Sequence, residues 1–221
     1  MQLPRHLAAV VFDMDGLLID SARAYTEALV NVAKQLGYNI PDSAQWVGLM
    51  GFELKKRLIE NFGAQFPLEL YYKQVNEYFN ERMEQGAPLK EGSIELLDFL
   101  KSIQLPCAVA TSASRETAFH HLSKTNIISY FQVVITRDDV AKSKPHPDVY
   151  LEAANRLGVE ASECLALEDS YHGIRAAHAA GMMPIMVPDT LPATPEMHEK
   201  CITIAESLHA VKNHLLQVSA P

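Results

Sequence analysis

"AAVVFDMDGLLID", residues 8–20, is the stretch that decides how this chain folds. Its apolar run, residues 8–12, predicts a buried β-strand, and two carboxylates, Asp13 and Asp15, follow that run with one residue between them. Side chains two positions apart on an extended chain point to the same side, so we expect Asp13 and Asp15 to face one reacting group together. Gly16 comes next and would let the backbone turn sharply beside a ligand.

The rest of the chain separates into two patterns. From residue 22 to 86 the sequence predicts helices with no convincing strand, whereas after Pro88 helices alternate with short apolar strands. Such alternation predicts right-handed crossovers and a parallel sheet with helices on both faces, to which the first strand also belongs. We therefore predict an α/β fold with a parallel-sheet core over residues 1–16 and 88–221 and an all-helical insertion over residues 17–87.

Composition and charge restrict the classes of partner. The formal net charge of −8 argues against nucleic acid or an anionic membrane, since both favour a basic surface. No segment approaches the ~20 continuous apolar residues that span a bilayer. The stretch "MQLPRHL" is too short and too polar for a secretory signal. The three cysteines form no CxxC pair, and Cys107 and Cys164 lie in apolar runs, so we expect a reduced, cytoplasmic setting. We expect the protein to be a monomer or a weak homo-oligomer.

Polar residues recur directly after the predicted strands. Ligands of open parallel sheets bind beyond the carboxyl ends of the strands, so these residues are expected to meet at one edge. Turn chemistry could explain two aspartates alone, but not a lysine and two further acids at equivalent positions. The candidates are Asp13, Asp15, Thr111, Ser112, Ser114, Lys142, Lys144, Glu168 and Asp169.

Four carboxylates at one edge need cations. Two like charges ~4 Å apart repel by ~4 kcal/mol at an effective dielectric near 20. Lys144 can supply one positive charge, and a divalent ion with oxygen ligands is the natural source of the rest. Mg²⁺ suits a site with few protein ligands and retained waters, so the sequence predicts a magnesium site.

Four motifs carry a family resemblance: "FDMDG" (12–16), "VATSAS" (109–114), "KSKPHPDVY" (142–150) and "LEDSYHGIRAAHAAGM" (167–182). Because all four motifs occur in this order, the chain resembles a haloacid dehalogenase superfamily phosphatase of the β-phosphoglucomutase-like and sugar-phosphatase branch. The resemblance covers nearly the whole chain. It implies a Rossmann-like core with a helical cap inserted after the first motif.

The resemblance also implies a role for each matching residue. Asp13 would attack phosphorus and form an aspartyl-phosphate, and Asp15 would protonate the leaving alcohol and then activate water. Lys144 would neutralise the nucleophile and the transferring phosphoryl group. The implied phosphate-binding set is Gly16, Thr111, Ser112, Ala113 and Lys144. The implied Mg²⁺ ligands are Asp13, the main-chain carbonyl of Asp15, Glu168 and Asp169.

Several residues keep alternative interpretations. Thr111 could replace Ser112 as the phosphate ligand, and Glu168 could position its neighbours instead of binding metal. Ser114 fits the N-cap of the next helix better than catalysis, and Asp20 fits a helix N-cap or hinge hydrogen bond. Lys142 is expected to be a solvated loop residue.

The resulting expectation is a magnesium-dependent phosphatase for a small phosphorylated metabolite, foremost a sugar phosphate. A phosphosugar mutase is the second reading. Mutases of the family carry a His in the first cap helix and an Arg on a cap loop, where this chain aligns Tyr25 and Gly51. A non-catalytic phosphometabolite-binding protein is the third hypothesis for the function. The spacing of the histidines argues against a histidine metal site, and the lack of GxGxxG after the first strand argues against a dinucleotide site.

Overall fold

The computed structural model describes residues 7–46, 49 and 51–218. Most of the N-terminal stretch used to argue against a secretory signal lies outside these residues. The chain forms two compact units: one joins the chain up to Ile19 with the chain from Leu89 onward, and the other is Asp20–Pro88. The sequence places these divisions after residues 16 and 87; the compact units divide after residues 19 and 88.

A six-stranded, entirely parallel sheet forms the centre of the first unit, with strand order β3-β2-β1-β4-β5-β6. This sheet confirms the predicted α/β fold class. In its register Phe12 of the first strand pairs with Val109 on one side and Leu167 on the other, so the residues that follow these strands lie side by side. The strands are β1 Ala9–Phe12, β2 Cys107–Ala110, β3 Val133–Ile135, β4 Cys164–Glu168, β5 Met183–Met186 and β6 Thr203–Ile204.

Helices occur in both units, and helices of the first unit pack on its sheet. In the second unit they are α1 Ser21–Gln35, α2 Gly51–Phe62 and α3 Leu68–Glu84. In the first unit they are α4 Ser93–Ser102, α5 Arg115–Lys124, α6 Asp148–Leu157, α7 Tyr171–Ala179, α8 Pro195–Lys200 and α9 Leu208–Val218. None of the helices in the described part of the chain is long and apolar enough to cross a membrane.

The core of the first unit contains many small residues. Alanines of the strands and of α6 and α7 are buried together with Val149 and Tyr150. Small side chains let the helix backbones approach the sheet closely. Cys107 and Cys164 are buried free thiols, as the apolar runs around them predict.

The described residues of the second unit contain helices and no β-strand. Asp20 caps α1, since its carboxylate accepts a hydrogen bond from the Arg23 backbone N–H at 3.1 Å, and the predicted N-cap is confirmed. The interior of this unit is apolar and aromatic. Tyr71 is fully buried there, and its hydroxyl donates to the Leu29 carbonyl at 2.8 Å.

Candidate active site

A pocket of ≈ 420 Å³ lies beyond the carboxyl ends of β1, β2 and β4. Six of the predicted site residues line it: Asp13, Asp15, Thr111, Ser112, Lys144 and Asp169. Four residues outside the predicted set also line it: Ser170, Tyr171, His172 and Leu191. Three residues of the predicted set do not line it: Gly16, Ala113 and Glu168. The sheet register explains the gathering, because three neighbouring strands end at one level.

Lys144 joins two acids on the floor of the pocket. Its Nζ atom lies 2.6 Å from Asp13 Oδ1 and 2.6 Å from Glu168 Oε1, and its side chain is 5 % exposed. Burial alone would lower the pKa of the Lys144 ammonium, but the charges of Asp13 and Glu168 outweigh burial and raise that pKa. Lys144 therefore stays charged at neutral pH.

Glu168 is fully buried, and both of its carboxylate oxygens accept hydrogen bonds. Oε1 accepts from Lys144 and from the Tyr150 hydroxyl at 2.8 Å. Oε2 accepts from the Asp169 N–H, the Ser170 N–H and the Ser170 hydroxyl, at 3.1, 3.1 and 2.9 Å. Five donors thus hold this carboxylate in one orientation.

Asp13, Glu168 and Asp169 each bring a carboxylate oxygen within 4.8 Å of the other two. Burial raises the pKa of Asp13 well above its ordinary value, which Lys144 opposes and the charges of Glu168 and Asp169 reinforce. Burial, with the charges of Glu168 and Asp189, raises the pKa of Asp169 to about 7. Three acids share one lysine here, so this oxygen-only donor set fits a divalent cation.

Gly16 provides the room that Asp169 occupies. Its φ angle is +87°, and a Cβ atom at this position would lie 2.2 Å from Asp169 Oδ2. A larger residue would therefore meet both backbone strain and a steric clash. Asp15, immediately before, is solvent-accessible in the open pocket, but the surrounding protein still removes part of its hydration and raises its pKa.

The three hydroxyl residues of the loop after β2 make different contacts. Thr111 is 2 % exposed, and its Oγ1 atom accepts a hydrogen bond from the Ala113 N–H at 3.0 Å. Ser112 is exposed and lines the pocket. Ser114 accepts from the Thr117 N–H at 3.2 Å as the N-cap of α5, which confirms its predicted capping role. The loop therefore offers Ser112, more than Thr111, to a ligand.

Sequence reasoning missed three aromatic and apolar residues at or behind the pocket. Tyr150 reads as an ordinary core residue of a helix, and no local signal reveals its hydrogen bond to Glu168. The Tyr171 hydroxyl donates to the Pro192 carbonyl at 2.6 Å and holds the loop that carries Leu191. Tyr171 follows β4 and Leu191 follows β5, at the sheet edge where ligands bind, and these positions in the sequence could have predicted both residues.

Comparison with known proteins identifies the family to which the chain is similar. A sequence profile of haloacid dehalogenase-like hydrolases matches residues 10–187. The chain is 32 % identical over 182 residues to a phosphorylated carbohydrates phosphatase of Thermotoga maritima, covering 80 % of this chain and 82 % of that protein. It is 32 % identical over 193 residues to hexitol phosphatase B of Escherichia coli K12, covering 85 % of this chain and 86 % of that protein.

A solved structure extends the match to three dimensions. A provisionally assigned β-phosphoglucomutase from Thermotoga maritima superposes with a TM-score of 0.76 at 29 % identity, over 95 % of this chain and 99 % of that one. The chain therefore belongs to the haloacid dehalogenase-like hydrolase family, in its β-phosphoglucomutase-like branch of phosphatases.

Proposed function

We propose that this protein hydrolyses phosphate monoesters of sugars or sugar alcohols through a phosphorylated Asp13. The observation that carries the proposal is the Asp13 carboxylate, held 2.6 Å from the Lys144 ammonium in a pocket that Asp15 and Ser112 also line. The substrate class follows the two phosphatases to which the chain is similar, whose names specify phosphorylated carbohydrates and hexitols.

The first step transfers the phosphoryl group to the protein. A carboxylate oxygen of Asp13 attacks phosphorus, and the bond from phosphorus to the sugar oxygen breaks. Asp15 donates its proton to that oxygen, and its raised pKa favours the protonated form that this step needs. Lys144 balances negative charge on Asp13 and on the phosphoryl oxygens, while Ser112 donates a hydrogen bond to one of them.

The second step releases phosphate. The Asp15 carboxylate takes a proton from a water molecule, and the water oxygen attacks phosphorus. The bond between phosphorus and the Asp13 oxygen breaks, and this restores the carboxylate. Lys144 again faces Asp13 as negative charge returns to it.

Asp13 and Asp169, with the main-chain carbonyl of Asp15, would hold Mg²⁺. When bound, Mg²⁺ supplies positive charge that neutralises the phosphoryl oxygens. Glu168 belongs to the same group of acids, but its two oxygens already accept five hydrogen bonds. That saturation supports the alternative in which Glu168 positions its neighbours.

Two residues of the helical unit favour hydrolysis over a mutase reaction. The Tyr25 ring packs edge-on against Phe79, with 5.5 Å between centroids, where family mutases align a histidine. Gly51 begins α2 and carries no side chain where those mutases align an arginine. Neither residue supplies the base or the cation expected of a mutase.

The test measures phosphate release from a panel of sugar and hexitol phosphates, with Mg²⁺ and with EDTA. We expect turnover that EDTA abolishes, and a loss of at least ~1,000-fold in Asp13→Asn with an unchanged circular dichroism spectrum. Asp98→Asn is the matched control, because Asp98 is an exposed carboxylate bonded to the Tyr130 hydroxyl. Isomerised sugar phosphate without free phosphate would indicate a mutase, and substantial activity in Asp13→Asn would exclude Asp13 as nucleophile.

A further inference from the structure

Tyr150 is a fully buried phenol behind the floor of the pocket. It lies in α6 and does not line the pocket itself. Its hydroxyl donates to Glu168 Oε1 at 2.8 Å, and the Lys144 Nζ atom lies 5.0 Å from its ring centroid. A buried hydroxyl needs a hydrogen-bond partner to offset its lost hydration, whereas a phenylalanine at the same position would need none. Core packing alone therefore does not account for the hydroxyl, but its hydrogen bond to Glu168 does.

The hydroxyl and the Lys144 ammonium converge on the same oxygen. Glu168 Oε1 accepts from Tyr150 at 2.8 Å and from Lys144 at 2.6 Å, and Lys144 reaches Asp13 Oδ1 at 2.6 Å. A chain of contacts therefore runs from the phenol through Glu168 and Lys144 to Asp13. The ring face beside the ammonium adds a second contact that limits where Lys144 can lie.

Gly173 closes the other side of Glu168. A Cβ atom on Gly173 would lie 1.6 Å from Glu168 Oε1, so the carboxylate packs directly against the backbone of α7. Tyr150 and Gly173 thus confine the same oxygen from two helices. Oε2 is held separately by three donors from Asp169 and Ser170.

We propose that Tyr150 is a positioning residue for phosphoryl transfer, an inference that rests on the proposed function. Its hydroxyl fixes the orientation of Glu168, and Glu168 in turn keeps Lys144 on Asp13. Tyr150 touches neither the substrate nor the reacting atoms. Its effect is on the placement of the charge that Lys144 brings to the transfer step.

Tyr150→Phe tests this assignment, since it keeps the ring, the core packing and the face toward Lys144. We expect kcat to fall ~10-fold and KM to change less than ~2-fold, because one hydrogen bond to a charged group is lost while the pocket lining is unchanged. Tyr130→Phe is the matched control: its hydroxyl also donates to a carboxylate, Asp98, at 2.6 Å, but at the surface. That variant should keep the wild-type kcat.

A double-mutant cycle with Glu168→Gln tests the route of the effect. If Tyr150 acts through Glu168, Tyr150→Phe lowers kcat less than ~2-fold further in the Glu168→Gln background. If the loss of kcat in the double variant equals the product of the losses in the two single variants, the inference is overturned. A lower Tm with an unchanged kcat in Tyr150→Phe would also overturn it. An inactive wild-type protein would overturn the proposed function and this inference together, whereas an active wild type matched by Tyr150→Phe would overturn the inference alone.

Discussion

Asp13 and Asp139 are both buried carboxylates that basic side chains contact, but their surroundings shift their pKa values in opposite directions. Asp139 accepts from the Thr136 N–H and hydroxyl at 2.9 and 2.6 Å and forms ion pairs with Arg115 and Arg156. Burial opposes ionisation there, but these donors outweigh it and lower the pKa of Asp139. For Asp13, burial dominates and raises the pKa.

The difference lies in the ratio of acids to cations. Asp139 forms ion pairs with two arginines, of which Arg156 also pairs with Glu152 at 2.7 Å. Two acids therefore meet two cations, and the charge of this cluster is balanced within the protein. Asp13, Glu168 and Asp169 are three acids around one lysine, so negative charge remains in excess. The first arrangement stabilises the fold, whereas the second is suited to receiving a further cation. The variants below separate these two outcomes.

Among the variants that compare the two clusters, removing the lysine of the acid cluster has the largest expected effect. Lys144→Met should lower kcat/KM by ~100-fold or more, because the charge of the transferring phosphoryl group loses its protein counter-ion. Steady-state kinetics at saturating Mg²⁺ measures this loss. Lys142→Met is the control, since Lys142 is exposed in the same loop, and equal losses in both variants would contradict the role of Lys144.

Breaking the balanced pair should affect stability and not activity. Asp139→Asn places an amide N–H₂ among the donors of Thr136, Arg115 and Arg156, at an expected cost of about 2 kcal/mol. Thermal unfolding should move down by about 5 °C, with kcat/KM within ~2-fold of wild type. A large activity loss at unchanged Tm would contradict the division between the two clusters.

Two serines in one loop allow the same comparison at smaller scale. Ser112→Ala should lower kcat/KM ~10-fold and leave Tm unchanged, because its side chain faces the pocket. Ser114→Ala should lower the free energy of unfolding by about 1 kcal/mol with unchanged kinetics, because it removes the cap of α5. Steady-state kinetics and thermal unfolding of both variants test this division. A loss of activity in Ser114→Ala and a loss of stability in Ser112→Ala would reverse the roles assigned to the two serines.

The smallest expected effect is a pH dependence of the metal-free protein. Because the pKa of Asp169 is raised from 3.8 to about 7, the folded state keeps a proton that the unfolded chain loses. Stability should therefore fall as pH rises from about 4 to 7, and by about 1 kcal/mol between pH 6 and 8. Tm in EDTA should be about 2–4 °C lower at pH 8. Asp169→Asn should reduce this difference without removing it, because the pKa of Asp13 is raised as well. An identical pH dependence in that variant would show that other groups cause it.

The sequence predicted the sheet and the location of the pocket because both depend on local patterns. Apolar runs end at Phe12, Ala110 and Leu167, and parallel strands bring the residues that follow to one edge. The division between Ser112 and Ser114 also followed from a local rule, helix capping. These features need no knowledge of which helix packs against which strand.

The remaining features depend on tertiary contacts. The hydrogen bond from Tyr150 to Glu168 requires α6 to pack beside β4, which no local pattern encodes. The saturation of Glu168 likewise depends on two donors that are distant in sequence, Lys144 and Tyr150, in addition to the three donors of Asp169 and Ser170 that directly follow it. The short helix Pro195–Lys200 was missed although Thr194 caps it and Pro195 begins it, a start signal that local reading could have used.

The bridge between Ile19 and Leu89 has a consequence for protein engineering. These residues pair antiparallel in the first unit, and the Asp20 N–H donates to the Pro88 carbonyl at 2.8 Å in the second. The chain therefore departs from the α/β unit and rejoins it at neighbouring points, as in a β-hairpin whose turn has been lengthened. A short turn could replace residues 21–87 without stretching either flank, which would yield a minimal version of the enzyme or accept a transplanted module from a relative.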